Sequence, residues 1–283
     1  MTESRSHPAI ADAADHPGCG QVVACQLDTA WEDKPESHRR AESLLQTVSI
    51  GPGSLIVLPE MFATGFSLDV GTTSEASDGP SHGWLAALAR HYAAYVVGGV
   101  VTLGDDGRGR NDAVVYGPGG SEIARYCKLH PFSYGKETER FEAGSRLASF
   151  QWGDLAVAPF VCYDLRFPEA FRCAVRRGAE LLLVIANWPA ARAQHWCTLL
   201  KARAIENQCY VVGVNRCGRD PNLDYAGRSA ILDPRGEIIT EVGARPCVLT
   251  AGIDPDALRA YREEFPALRD ARPDLLPDDV DLQ

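Results

Sequence analysis

Apolar positions along the chain fall into two alternating patterns. Compact runs rich in Val, Ile and Leu predict buried strands at Gln21–Leu27, Ser54–Leu58, Tyr95–Val101, Glu180–Ile185 and Tyr210–Val214. Between them, apolar residues recur at helical spacing. Ala41, Leu44, Leu45 and Val48 fall at i, i+3, i+4 and i+7, with Asp33 and Pro35 marking the helix start, and Leu85, Leu88, Ala89 and Tyr92 repeat the pattern. Further helices are predicted at Phe167–Arg177, Gln194–Gln208 and Pro255–Glu264. Ala113–Tyr116 and Glu122–Tyr126, joined by Gly117–Gly120, predict a hairpin, and Phe150–Trp152 with Leu155–Val161 a second pair. Ser229–Leu232, Glu237–Val242 and Cys247–Gly252 complete the strands, with a turn at Pro234–Gly236. No linker of distinct composition and no short-period repeat interrupts this alternation. One α/β domain over residues 21–265 is the economical reading, with a flexible tail at 1–20 and a Pro- and Asp-rich tail at 266–283 that wraps the surface or a partner.

Composition narrows the picture. The chain has 283 residues, 45% hydrophobic, enough to bury a full core. Its formal net charge of −10 argues against a general binder of phosphate backbones, while leaving room for a local basic pocket. The longest apolar runs fall far short of the roughly 20 residues that span a bilayer, and the polar start lacks the pattern of a secretory signal, so no membrane association is expected. Nine cysteines, an odd number with no CxxC pair, fit reduced cytoplasmic thiols better than a disulfide framework or a zinc site. A doubly wound nucleotide binder is the rival α/β fold, but no GxGxxG or GxxxxGK[ST] follows the first strand.

Ligands of open α/β sheets bind beyond the carboxyl ends of strands. After Ser54–Leu58 comes Glu60, after Leu155–Val161 comes Cys162, after the Glu180 strand comes Asn187, and after Glu122–Cys127 comes Lys128. A carboxylate, a thiol, an amide and an ammonium at equivalent places suggest a shared rim. Cys162 sits at a strand-to-turn junction, where a nucleophile is held on a bend and nearby backbone N–H groups can receive an oxyanion. A free thiol there needs a base or cation; its bland reading is an inert buried cysteine. Glu60, following an apolar run, is placed for general acid–base work, its bland reading being a salt bridge. Lys128 is either a solvated surface lysine or the partner of a thiolate and oxyanion. His130 and His195 lie near these segments and leave a Cys–His dyad open. Arg166 with Glu169, and Arg203 with Glu206, read as structural i, i+3 pairs.

LPEMFATGFS (58–67), YCKLHPFSYGKE (126–137) and FVCYDLRFPE (160–169) together resemble the three signature blocks of the nitrilase superfamily of carbon–nitrogen hydrolases, with Glu, Lys and Cys in the family order. NWPAARAQHW, ARAIENQCYVVGVNR and YAGRSAILDPRGE extend the match over about residues 22–252, and the wording is most similar to the bacterial omega-amidase branch. The resemblance implies a four-layer α-β-β-α sandwich assembled as a homodimer or higher oligomer, with no cofactor and no metal. It implies that Cys162 attacks an amide carbon to form a thioester, that Glu60 shuttles the proton, and that Lys128 and the Tyr163 backbone N–H hold the oxyanion. Glu137 aligns with the family's supporting glutamate, with Glu139 and Glu142 close by. The branch implies hydrolysis of the terminal amide of 2-oxoglutaramate or 2-oxosuccinamate. Arg192 is then the candidate clamp for the substrate carboxylate, set against an exposed helix-start arginine. Phe132, Tyr134 and Trp188 are candidate apolar walls. The alternatives are a nitrilase, carbamoylase or aliphatic amidase with the same triad, or a silent small-molecule-binding scaffold. The extra N-terminal tail, Pro131, Lys136 and the acidic C-terminal tail depart from the family pattern.

Overall fold

The computed structural model describes residues 20–104 and 106–272. The first half of the chain forms β1 (Gly20–Gln26), α1 (Lys34–Leu45), β2 (Leu55–Val57), a single turn α2 (Val70–Thr73), α3 (Pro80–Tyr92), β3 (Tyr95–Leu103) and the hairpin β4 (Gly109–Tyr116) to β5 (Glu122–Cys127). The second half forms β6 (Phe150–Trp152), β7 (Leu155–Val161), α4 (Pro168–Arg176), β8 (Leu181–Ala186), α5 (Ala193–Asn207) and β9 (Tyr210–Asn215). A small hairpin of β10 (Cys217–Arg219) and β11 (Asp224–Ala226) follows, then β12 (Ala230–Leu232), β13 (Ile238–Glu241), β14 (Cys247–Ile253) and α6 (Pro255–Glu264).

Two six-stranded sheets result, in the orders β14-β1-β2-β3-β4-β5 and β13-β12-β9-β8-β7-β6. Each has two parallel pairings at its centre, β1–β2–β3 in one and β7–β8–β9 in the other, flanked by antiparallel strands on both sides. The halves are structural counterparts, although no repeat is readable in the sequence. In the first sheet, Val22, Ala24, Leu55 and Val57 pack toward the second sheet. Their neighbours Val23, Cys25 and Ile56 pack on Ala41 and Leu45 of α1 and Leu85 and Ala89 of α3. The second sheet is likewise covered by α4 and α5. Burial on both faces explains why the central strands read as unbroken apolar runs rather than alternating ones.

Most predicted elements appear within a residue or two of their expected ends. The α1 start is set as expected: the Asp33 carboxylate accepts the Glu36 N–H at 3.0 Å and Pro35 lies in the first turn, while Val48 falls beyond the helix. β4 begins four residues before the expected Ala113, because Asn111 and Asp112 are polar yet buried. β10, β11 and α2 carry no apolar run and were not expected. The tail predicted at 1–20 lies outside the described residues except Gly20, which opens β1. Of the tail at 266–283, Ala267–Asp270 forms a short 3-10 turn and Leu268 packs on the core; residues 273–283 lie outside the described residues. Among the described residues, no helix is long and apolar enough to cross a membrane.

Candidate active site

The carboxyl ends of β2, β7 and β8, from both sheets, meet the end of β5 at one rim. β2 ends into Pro59-Glu60, and Met61 takes a left-handed φ of 43°. This bend passes so close to β3 that a Cβ on Gly99 would lie 2.4 Å from the Met61 nitrogen and 2.5 Å from the Glu60 Cα. Only glycine allows that approach. β7 ends in the same way: Cys162 takes a φ of 47° and opens the 3-10 turn Cys162–Arg166. A left-handed non-glycine residue costs on the order of 1–2 kcal/mol, so the surrounding bonds must hold it.

Glu60 is fully buried. Its Oε1 accepts Asn111 Nδ2 at 2.6 Å and Lys128 Nζ at 2.9 Å, and its Oε2 accepts the Asn187 N–H at 2.7 Å. Asn187 Nδ2 also donates to the Glu60 carbonyl at 2.8 Å. Glu137, equally buried, accepts Lys128 Nζ at 2.8 Å, Asn111 Nδ2 at 2.8 Å and the Phe132 N–H at 2.6 Å. Lys128 is thus not a solvated lysine: its side chain is 1% exposed between two carboxylates. Burial alone would lower its pKa, but Glu137 and Glu60 outweigh that and hold it well above the ordinary lysine value. Its ammonium donates to Glu60 Oε1 and to both carboxylate oxygens of Glu137, at 2.8 and 3.2 Å, and lies at the wall of a cavity. Burial, and then the charge of Glu60, push the Cys162 thiol well above its ordinary value, against the pull of Lys128. The resting thiol is therefore neutral, and a proton acceptor is needed before it can attack.

Cys162 and Lys128 line a cavity of about 510 Å³. All five sequence-predicted binding residues reach it: Phe132, Tyr134, Tyr163, Trp188 and Arg192. The Arg192 guanidinium lies 5.5 Å from the Phe132 ring centre and 5.9 Å from that of Tyr134. The Trp188 indole donates to the Arg192 carbonyl at 2.8 Å.

One reading of the neighbourhood changes, and two left open are narrowed. Arg166, expected to pair with Glu169, instead lines the cavity, stacks 4.8 Å over Trp188 and contacts His195 Nδ1 at 3.2 Å. His130 does not serve the thiol; its Nδ1 meets Asp164 Oδ1 at 2.8 Å. Glu142 pairs with Arg110 and Glu139 is exposed, leaving Glu137 as the glutamate at Lys128. Asn111, which ties Glu60 to Glu137, had no signal in the sequence, since it precedes the strand expected at Ala113–Tyr116. Among the described residues, no group of three or more His, Cys, Asp or Glu is placed to hold a metal ion.

A buried Glu–Lys–Cys group whose lysine and cysteine line an apolar cavity can support nucleophilic acyl transfer without further titratable groups. Residues 21–263 match the carbon-nitrogen hydrolase family. The chain is 38% identical over 253 residues to the omega-amidase YafV of Escherichia coli, covering 89% of this chain and 96% of that protein. It is 33% identical over 256 residues to a 2-oxoglutaramate amidase of Bacillus subtilis, covering 90% and 98%. A CN-hydrolase superfamily protein of Xanthomonas campestris, solved with an arsenic adduct in its active site, superposes with a TM-score of 0.85 at 36% identity, over 90% of this chain and 97% of that one.

Proposed function

Because the chain belongs to the carbon-nitrogen hydrolase family and is an amidase-type hydrolase, we propose that it cleaves the terminal amide of a short 2-oxo dicarboxylic acid monoamide, with 2-oxoglutaramate as the leading substrate. The observation that carries this reading is one cavity lined both by Cys162 and by two guanidinium groups, Arg166 and Arg192. Such a cavity suits a small molecule with an amide at one end and a carboxylate at the other. The names of the similar amidases support the same substrate class.

In the proposed reaction, Glu60 takes the thiol proton as Cys162 Sγ bonds to the amide carbon. The carbonyl oxygen becomes an oxyanion held by the Lys128 ammonium, in exchange for its longer contact to Glu137 Oε1, and by the Tyr163 N–H. Glu60 then returns the proton to the nitrogen, the carbon–nitrogen bond breaks, and ammonia leaves a thioester on Cys162. Water, deprotonated by Glu60, attacks the thioester; the acid product leaves and the thiol is restored. General acid–base help of this kind contributes about 10²–10⁴-fold, and one oxyanion donor about 10²–10³-fold. Burial of Lys128 between two carboxylates supports the oxyanion role, since it fixes the ammonium without rotamer freedom.

The test is ammonia release from 2-oxoglutaramate by the wild type and by Cys162→Ala. Release by the wild type and none by the variant is expected. Replacing Arg192 by Met should raise KM for 2-oxoglutaramate by about 10-fold or more, the value of a charge-assisted bond, and leave KM for a neutral amide unchanged. Equal effects on both substrates would remove Arg192 as the clamp. Turnover of a carbamoyl amino acid or a nitrile with none of 2-oxoglutaramate would overturn the substrate.

A further inference from the structure

The catalytic residues come from two different sheets, and their relative placement needs a tie between the segments that carry them. Asn187, after β8 of the second sheet, ties Glu60 of the first. The Lys128 ammonium bonds Glu60, after β2, and Glu137, in the connection after β5, and neither bond reaches the nucleophile turn. We infer that Asp164 is the positioning residue that locks the lysine segment onto the nucleophile turn. This inference rests on the roles proposed above for Glu60, Lys128 and Cys162.

Asp164 is fully buried, two residues after Cys162, and its carboxylate gathers four donors. Oδ2 accepts the Val161 N–H at 3.0 Å and the Tyr126 hydroxyl at 2.7 Å. Oδ1 accepts the His130 N–H at 3.0 Å and the His130 ring Nδ1–H at 2.8 Å. Tyr126 and His130 bracket Lys128 two residues to either side, and Val161 immediately precedes Cys162. One side chain therefore holds the residues flanking the ammonium and the residue that sets up the strained φ of the nucleophile. Four bonds to a buried carboxylate are charge-assisted and strong, and they satisfy all of its acceptor sites. His130 extends the tie. Its ring stacks on Phe167 at 3.8 Å, and Phe167 meets the ring of Tyr163, the proposed oxyanion donor, at 5.3 Å.

The geometry separates positioning from general stability. Asp164 lines no part of the cavity, so its loss should leave substrate affinity alone. Misplacement of reacting groups by about 1 Å costs on the order of 10²-fold in rate. Asp164→Asn keeps size but turns two acceptor positions into donors facing donors. Tyr126→Phe and His130→Gln each remove one anchor and leave the Val161 bond in place.

The experiment measures kcat and KM for 2-oxoglutaramate, with kcat expressed per folded protein by circular dichroism, for wild type, Asp164→Asn, Tyr126→Phe and His130→Gln, with Cys162→Ala as the control for ammonia release. Asp164→Asn should lower kcat by about 10²-fold with KM within about 3-fold of wild type. Tyr126→Phe and His130→Gln should each lower it by about 10-fold, one charge-assisted bond, and their effects should vanish in the Asp164→Asn background. If Asp164→Asn does not fold, the other two variants decide. Folded variants with wild-type kcat, or a change confined to KM, would overturn the inference. If Cys162→Ala still releases ammonia, the catalytic reading itself falls.

Discussion

At the scale of single residues, Lys128 and Glu60 make opposite demands on stability and similar demands on rate. Glu60 and Glu137 are both fully buried, and Lys128 is the cation between them. Lys128→Met leaves two buried carboxylates without their counter-charge, a change of about 3–5 kcal/mol for a broken buried pair. Glu60→Gln removes one of the negative charges and keeps a hydrogen-bonding group of the same size. Denaturant unfolding should therefore place Lys128→Met well below Glu60→Gln in stability, while both lose at least about 10²-fold in kcat. Equal stabilities would mean that Lys128 is not the electrostatic centre of the site. Glu60 and Cys162 were legible in the sequence because each comes just after an apolar strand, where a polar residue of an α/β sheet can face a ligand, whereas Lys128 follows the mixed strand β5 and stood out through its family block. Asn111 was not legible: it sits inside β4, and only the three-dimensional meeting of Glu60 and Glu137 shows why a polar side chain is buried there. Arg166 was misread because its spacing to Glu169 favours a helical pair, whereas it lies in a 3-10 turn before α4 begins.

At the scale of elements, the site depends on how closely strands approach the bends that carry its residues. Gly99 in β3 lies against the Glu60 bend, with the Phe62 N–H donating to its carbonyl at 3.1 Å. Gly99→Ala should displace Glu60 and lower kcat by about 10-fold or more, as expected for sub-ångström to 1 Å misplacement. Gly83 in α3 is the matched control. A Cβ there meets nothing within 4 Å, so Gly83→Ala should be neutral for kcat and stabilise by about 0.5–1 kcal/mol. Wild-type activity in Gly99→Ala would show that the close approach does not position Glu60. The elements that the sequence revealed, such as β2, β8 and α1, are those whose burial comes from their own apolar residues. The β10–β11 hairpin was invisible for the converse reason. It carries no apolar run, and it is anchored by Asp220, which accepts the Asn222 and Leu223 N–H groups and the Tyr225 hydroxyl.

At the scale of the whole molecule, two sheets packed face to face bury thiols as they bury aliphatics, and that sets an alkaline limit. Cys25 is pushed up to about 12 by burial and by the neighbouring Cys217 and Cys247 thiols. Cys209 is also pushed up to about 12, where burial outweighs Arg262. Each stays neutral in the fold after the unfolded chain has released its proton near the ordinary value of 9. Their contribution is complete below pH 9 and is lost between 9 and 12, at about 1.4 kcal/mol per pH unit for each thiol. Denaturant unfolding from pH 8 to 10.5 should show a falling stability whose slope is shallower in Cys209→Ser. A slope unchanged by that substitution would contradict the assignment. The doubled sheet order was beyond sequence reading because the halves share topology without sharing side chains, whereas the family blocks made the sandwich itself legible. Both sheets converge on one thiol, and the most direct test of the account is to catch what forms on it. Wild-type protein mixed with 2-oxoglutaramate and acid-quenched within a turnover should carry a mass increase equal to one 2-oxoglutaryl group. That mass should map to the peptide containing Cys162, be released by hydroxylamine, and be absent from Cys162→Ala. Ammonia release with no such adduct, or an adduct on another residue, would contradict the thioester mechanism.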